Sequence, residues 1–132
     1  MCSPWNRGGH AGLQNAMSLG RLGRKAIILD SGEYRNERTF EMHDVISRDG
    51  TPPPKFRAIA RSQLEVYKTI TYKKAEAVSI QNVNNGTMFI VKDIVGTTYT
   101  CRKLVLATGV VDQLPKIKNI EQAWGTGAFW CP

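Results

Sequence analysis

Residues 8–30 read GGHAGLQNAMSLGRLGRKAIILD, and the way this stretch divides decides the fold. Leu13, Ala16, Met17 and Gly20 fall at helical spacing, so residues 12–23 predict a helix with a small-residue face that packs closely. The run KAIILD follows, short, continuously apolar and closed by Asp30, as expected of a strand buried on both faces. A helix running into such a strand predicts an α/β unit.

Toward the C-terminus, residues 31–50, SGEYRNERTFEMHDVISRDG, hold no sustained period and are too long for a mere connector. Loops of this kind often carry function. Residues 51–68, TPPPKFRAIARSQLEVYK, predict a second helix, with Thr51 as N-cap and prolines in the first turn. Its inner face is expected to carry Phe56, Ile59, Ala60, Gln63, Leu64 and Tyr67. From Thr69 the period becomes two, through TITYKKAEAVSIQ, TMFIVKDI and GTTYTCRKLVLATG, and Asn84-Asn85-Gly86 marks a hairpin turn. These runs predict a β-meander whose last strand, KLVLA, enters the main sheet. The expected class is α/β, a parallel sheet with helices plus a β-meander.

With 132 residues, 42% hydrophobic and 22% charged, the chain is expected to form one domain, residues 1–132, with a core of its own. The net charge of +7 raises the question of nucleic acid. Lys and Arg are scattered, however, without a basic helix face interleaved with aromatics, so no nucleic-acid partner is expected. There is neither an apolar run of about 18 residues nor the pattern of a signal peptide at MCSPWNRGGH, so a cytoplasmic protein without a membrane partner is expected. Cys2, Cys101 and Cys131 are odd in number and widely spaced, which predicts reduced thiols and no metal site.

RGGHAG, residues 7–12, aligns with the G-x-G-x-x-G turn that brings backbone N–H groups to a pyrophosphate. Gly9 and Gly12 hold the second and third positions, and Arg7 stands at the first. Asp30, 18 positions after Gly12, is spaced as a ribose-binding carboxylate. The strand that should precede the turn is expected to be missing, since Pro4 and polar Ser3 and Asn6 lie there.

Taken in order, GGHAGLQNAMSLGRLGRKAIILDSGEYRN, MHDVISRDGTPP, KFRAIARSQL, RKLVLATGVVDQLPKI and WGTGAFWCP resemble the FAD domain of thioredoxin-reductase-like flavoproteins, closest to the fungal dithiol oxidases of natural-product clusters. A fainter resemblance is to pericyclases that form the norbornene of sordaricin-type diterpenoids. The first resemblance implies a degenerate Rossmann-like FAD-domain fold. It implies pyrophosphate contacts at Gly9 and Gly12, a ribose contact at Asp30, and passage of Thr108 and Gly109 beside the cofactor. It also implies a C-x-x-C pair on a following NADPH domain, of which Cys131-Pro132 is the first half, so a truncated domain is expected.

A nucleotide cleft without redox parts is expected to be a small-molecule pocket. The leading expectation is a cofactor-independent enzyme of fungal natural-product biosynthesis that folds a polyene or terpenoid-like substrate, acidic by charge complementarity, and accelerates a non-redox cyclisation of the Diels–Alder type. His43 and Arg48 are the expected hydrogen-bond donors, with Asp44 and His10 beside them; Trp5, Met42, Phe129 and Trp130 are the expected walls. The alternatives are an FAD-dependent thiol/disulfide oxidoreductase and a non-enzymatic partner of a full-length flavoprotein. A homodimer that covers the sheet edge is also expected.

Overall fold

The computed structural model describes residues 9–128. In chain order it contains α1 (His10–Arg21), β1 (Ala26–Asp30), α2 (Pro53–Leu64), β2 (Ile70–Lys74), β3 (Ala77–Val83), β4 (Met88–Asp93), β5 (Thr98–Cys101) and a short α3 (Ile120–Ala123). The start of α1 follows the glycines, and its end is set by Gly23, which takes φ +65°. The Gly23 N–H donates to Gly20 O and the Arg24 N–H to Leu19 O, so two carbonyls of the last turn are satisfied as the chain reverses.

β1 and β2 pair in parallel, from Ala26 opposite Ile70 to Asp30 opposite Lys74, with α2 in the connection between them. Leu13 and Ala16 of α1, Ile28 of β1 and Leu64 of α2 form the buried core, and Met17, Ala60, Tyr67 and Ile70 pack against it. The helical spacing read in residues 12–23 therefore marks the face that meets the sheet. Along the edge of β1 away from β2, no described strand pairs with it, and Ile27 there is half exposed.

The second sheet is antiparallel in the order β3-β4-β5. Asn84, Asn85 and Gly86 all have positive φ between β3 and β4, the backbone that a tight hairpin turn requires. The α/β class thus stands, a parallel pair with helices plus a meander.

Three expectations about elements need correction. The N-cap of α2 is Pro52, without a side-chain cap, because the backbone of Thr51 is engaged in a bridge with Met42. The period-two run from Thr69 does not enter the meander whole. Ile70–Lys74 joins β1, and the break at Ala75 and Glu76 is held by hydrogen bonds from the Ala75 N–H to Asp30 O and from the Ile94 N–H to Glu76 O. Finally, KLVLA forms no strand, and Val105 and Leu106 are more than half exposed. A strand exists by pairing, and among the described residues this segment has no ladder partner. No helix among the described residues is long and apolar enough to cross a membrane.

Candidate functional site

An α-helix leaves the N–H groups of its first turn without acceptors inside the helix. In α1 these belong to a turn opened by Gly9, which offers no side-chain cap, and no acid lies in that turn. The first bond of the helix runs from the Leu13 N–H to Gly9 O at 3.1 Å. The macrodipole therefore presents its positive end bare of any carboxylate from its own helix.

His10 packs its ring edge against Phe56 of α2, with centroids 4.6 Å apart and planes at 87°. Burial, and after it the nearby Arg57 charge, lowers the imidazole pKa below its ordinary value. His10 is thus a neutral ring at pH 7. Tyr34 lies alongside, its Cδ1 3.9 Å from where a Cβ on Gly9 would stand. The Arg57 guanidinium sits 3.6 Å from the centroid of the Tyr34 ring and donates to Glu37 at 2.8 Å.

At the end of β1, Asp30 is completely buried. Its Oδ1 accepts from the Gly32 N–H at 3.0 Å, and its Oδ2 accepts from Tyr34 Oη and Arg61 Nη2, both at 2.7 Å, and from Tyr72 Oη. Arg61 also donates to Tyr34 Oη at 2.6 Å. Burial first, and then the bond to Asp30, raises the pKa of both tyrosines above the ordinary phenol value.

The long loop is organised otherwise than its composition predicts. His43, 65% exposed at its side chain, lies 3.5 Å from Asp49, whose Oδ1 also accepts from the Asp44 N–H at 3.0 Å. Arg48 donates to the carbonyl of its own neighbour, Ser47, at 2.7 Å. Each member of the expected donor pair is thus engaged within the loop's own turn. One cavity of about 200 Å³ between Leu114 and Gln122 is lined by neither His43 nor Arg48, and neither is a second of about 150 Å³ between β2 and β4. Met42 is held in its bridge with Thr51. Arg7, Trp5, Phe129, Trp130 and Cys131 lie outside the described residues.

Thr108 is half-buried, and Gly109 takes φ +66° in an irregular segment. That segment is tied to the long loop by Arg35, whose Nε donates to Asp112 Oδ2 at 2.9 Å and Oδ1 at 3.1 Å. Cys101 is half-buried on β5, and burial raises its thiol pKa, so it is not a poised nucleophile.

Residues 8–130 match the family described as pyridine nucleotide-disulphide oxidoreductase. The chain belongs to this family. The probable thioredoxin reductase of Arthroderma benhamiae is 39% identical over 129 residues, covering 95% of this chain and 32% of that protein. The thioredoxin reductase tcpT of Claviceps purpurea is 37% identical, over 94% of this chain and 39% of its own length. A solved oxidoreductase structure from Agrobacterium tumefaciens superposes with a TM-score of 0.90 at 35% identity, covering 96% of this chain and 42% of that one. The chain therefore spans less than half the length of these members of the pyridine nucleotide-disulphide oxidoreductase family.

Membership overturns the expectation of an enzyme without a cofactor, since the family and its thioredoxin-reductase neighbours point to FAD and NADPH. The first turn of α1 fits such a group: a pyrophosphate needs N–H donors, a positive field and no competing carboxylate, and Gly9, the uncapped turn and Arg57 supply these. Tyr34, Arg57, Arg61, Tyr72 and Asp112 were not singled out as site residues by sequence reading. The one available signal was the spacing of Arg57 and Arg61, four apart on a helix whose other faces were already assigned.

Proposed function

We propose that this chain is the FAD-binding part of a thioredoxin-reductase-like oxidoreductase. The observation that carries the reading is the uncapped, acid-free first turn of α1 in a chain of this family. Gly9 and Gly12 would hold the pyrophosphate, and Thr108 and Gly109 would flank the flavin. Bound FAD supplies two-electron transfer between a nicotinamide and a dithiol. This chain's own residues hold and orient it. His10, seated on Phe56, anchors the first turn to α2, and the Arg35–Asp112 pair fixes the segment of Thr108 against the long loop. A place in fungal natural-product metabolism goes with the reading, through the resemblance to dithiol oxidases. Cyclisation is not the reading favoured here, since His43 lies against Asp49 and Arg48 donates to Ser47 O within the loop's own turn.

The test is the visible absorption of the purified chain after incubation with FAD, followed by denaturation and mass analysis of what is released. One equivalent of FAD per chain is the expected result. A folded chain that takes up no flavin overturns the reading.

A further inference from the structure

The resemblance gives Asp30 to a ribose, but its surroundings give it another task. We propose that Asp30 is a positioning residue, which fastens Tyr34, Tyr72 and Arg61 to the end of β1 and so seats Tyr34 beside the first turn of α1, and that it does not read a ribose. The proposal deepens the FAD-binding reading above and concerns that same site.

Access comes first. The Asp30 side chain has no solvent exposure, so a ribose could reach it only after protein groups moved aside. Capacity comes second. A carboxylate offers about four lone-pair directions, two on each oxygen; Oδ2 already accepts from three donors, Tyr34 Oη, Tyr72 Oη and Arg61 Nη2, and Oδ1 accepts from the Gly32 N–H. A ribose hydroxyl at Oδ2 would displace a charge-assisted bond or strand a tyrosine hydroxyl, and either exchange loses more than one neutral hydroxyl returns; one at Oδ1 would still have to reach a side chain with no solvent exposure.

Connectivity comes third. The donors come from the loop after β1, from α2 and from β2, so one buried atom joins three elements. Tyr34 is the member that faces the candidate anion site, lying against Gly9 with Arg57 on its ring face. The raised pKa of Tyr34 and Tyr72 agrees with hydroxyls held as donors to a carboxylate.

The experiment compares wild type, Asp30→Asn, Tyr34→Phe and Tyr72→Phe. Thermal melting and ultraviolet tyrosinate titration are recorded without ligand, and calorimetry measures binding of ADP and of its dideoxy analogue, which lacks both ribose hydroxyls. In Asp30→Asn, the expected results are a ligand-free melting temperature lower by about 5 °C and tyrosine ionisation moved down toward the ordinary value. Tyr72→Phe should also lower the melting temperature, and its combination with Asp30→Asn should cost less than the two single losses together. Wild type should bind the two nucleotides within about twofold of each other.

A tenfold or greater preference for ADP that Asp30→Asn abolishes overturns the proposal whatever happens to stability. So does a tyrosinate titration that Asp30→Asn leaves in place. If Asp30→Asn does not fold, Tyr34→Phe and Tyr72→Phe carry the test: unchanged melting in both overturns it. If neither ADP nor FAD binds, the FAD-binding reading falls, while melting and titration without ligand still decide the role of Asp30.

Discussion

Gly20 shows how closely a single side chain is specified. A Cβ there would stand 2.7 Å from Cγ of Tyr67 and 2.9 Å from its Cβ, too near for either to remain in place. Alanine is the better helix former by about 1 kcal/mol, but forcing the Tyr67 ring aside costs about 1–3 kcal/mol. Gly20→Ala is therefore expected to lower the unfolding free energy by about 1 kcal/mol net, read as a shifted urea midpoint with an unchanged slope. His10 makes a second claim at this scale. Its folded pKa lies below the ordinary 6.5, so the unfolded chain takes up its proton first as the pH falls. The contribution of His10 is thus present above pH 6.5 and is lost progressively below it, down to the folded value. Melting curves from pH 7.5 to 5 should show this loss, and His10→Gln should flatten it. Leu13, Ala16 and Gly20 were legible in the sequence because their contacts follow from position along one helix. The role of Asp30 was not, because its partners stand at 34, 61 and 72, and only the folded chain brings them to one oxygen.

Among elements, the long loop after β1 is a fastening. Arg35 grips Asp112 with paired bonds, and Arg38 Nη1 donates to Glu121 O at 2.7 Å, so two arginines of the loop hold the segment that leads into α3. Both side chains of the first pair are partly exposed, so its worth is about 1 kcal/mol or less. Arg35→Asp should speed proteolytic cleavage between residues 103 and 119, and Arg35→Asp combined with Asp112→Arg should recover most of the protection. Cleavage at the wild-type rate in the single variant would leave the clamp without a role. The sequence signalled the loop by its lack of period, but not how its polar groups are engaged. His43, Asp44, Arg48 and Asp49 satisfy one another or their own backbone. Side-chain type alone does not reveal which hydrogen bonds are already made.

Over the whole molecule, local pattern and long-range pairing separate cleanly. Both long helices, the hairpin at Asn84–Gly86 and the class of the fold follow from spacing over a few residues. The division of strands between two sheets does not, because the run from Thr69 has one period throughout while Ile70–Lys74 pairs with β1 and Ala77–Val83 with β4. The break depends on Asp30 O and on Ile94, residues distant in the chain.

The outer edge of β1 has a consequence beyond folding. Its backbone offers donors and acceptors that no described strand takes up, beside an Ile27 open to solvent. Such an edge is a template on which another extended segment can register. It is five residues long, which limits the grip of any accidental partner. The net charge of +7 keeps copies apart at low ionic strength, and added salt weakens that repulsion while leaving the template intact. If that edge stays unpaired in solution, self-association is expected to rise with protein and salt concentration, which light scattering across a salt series checks.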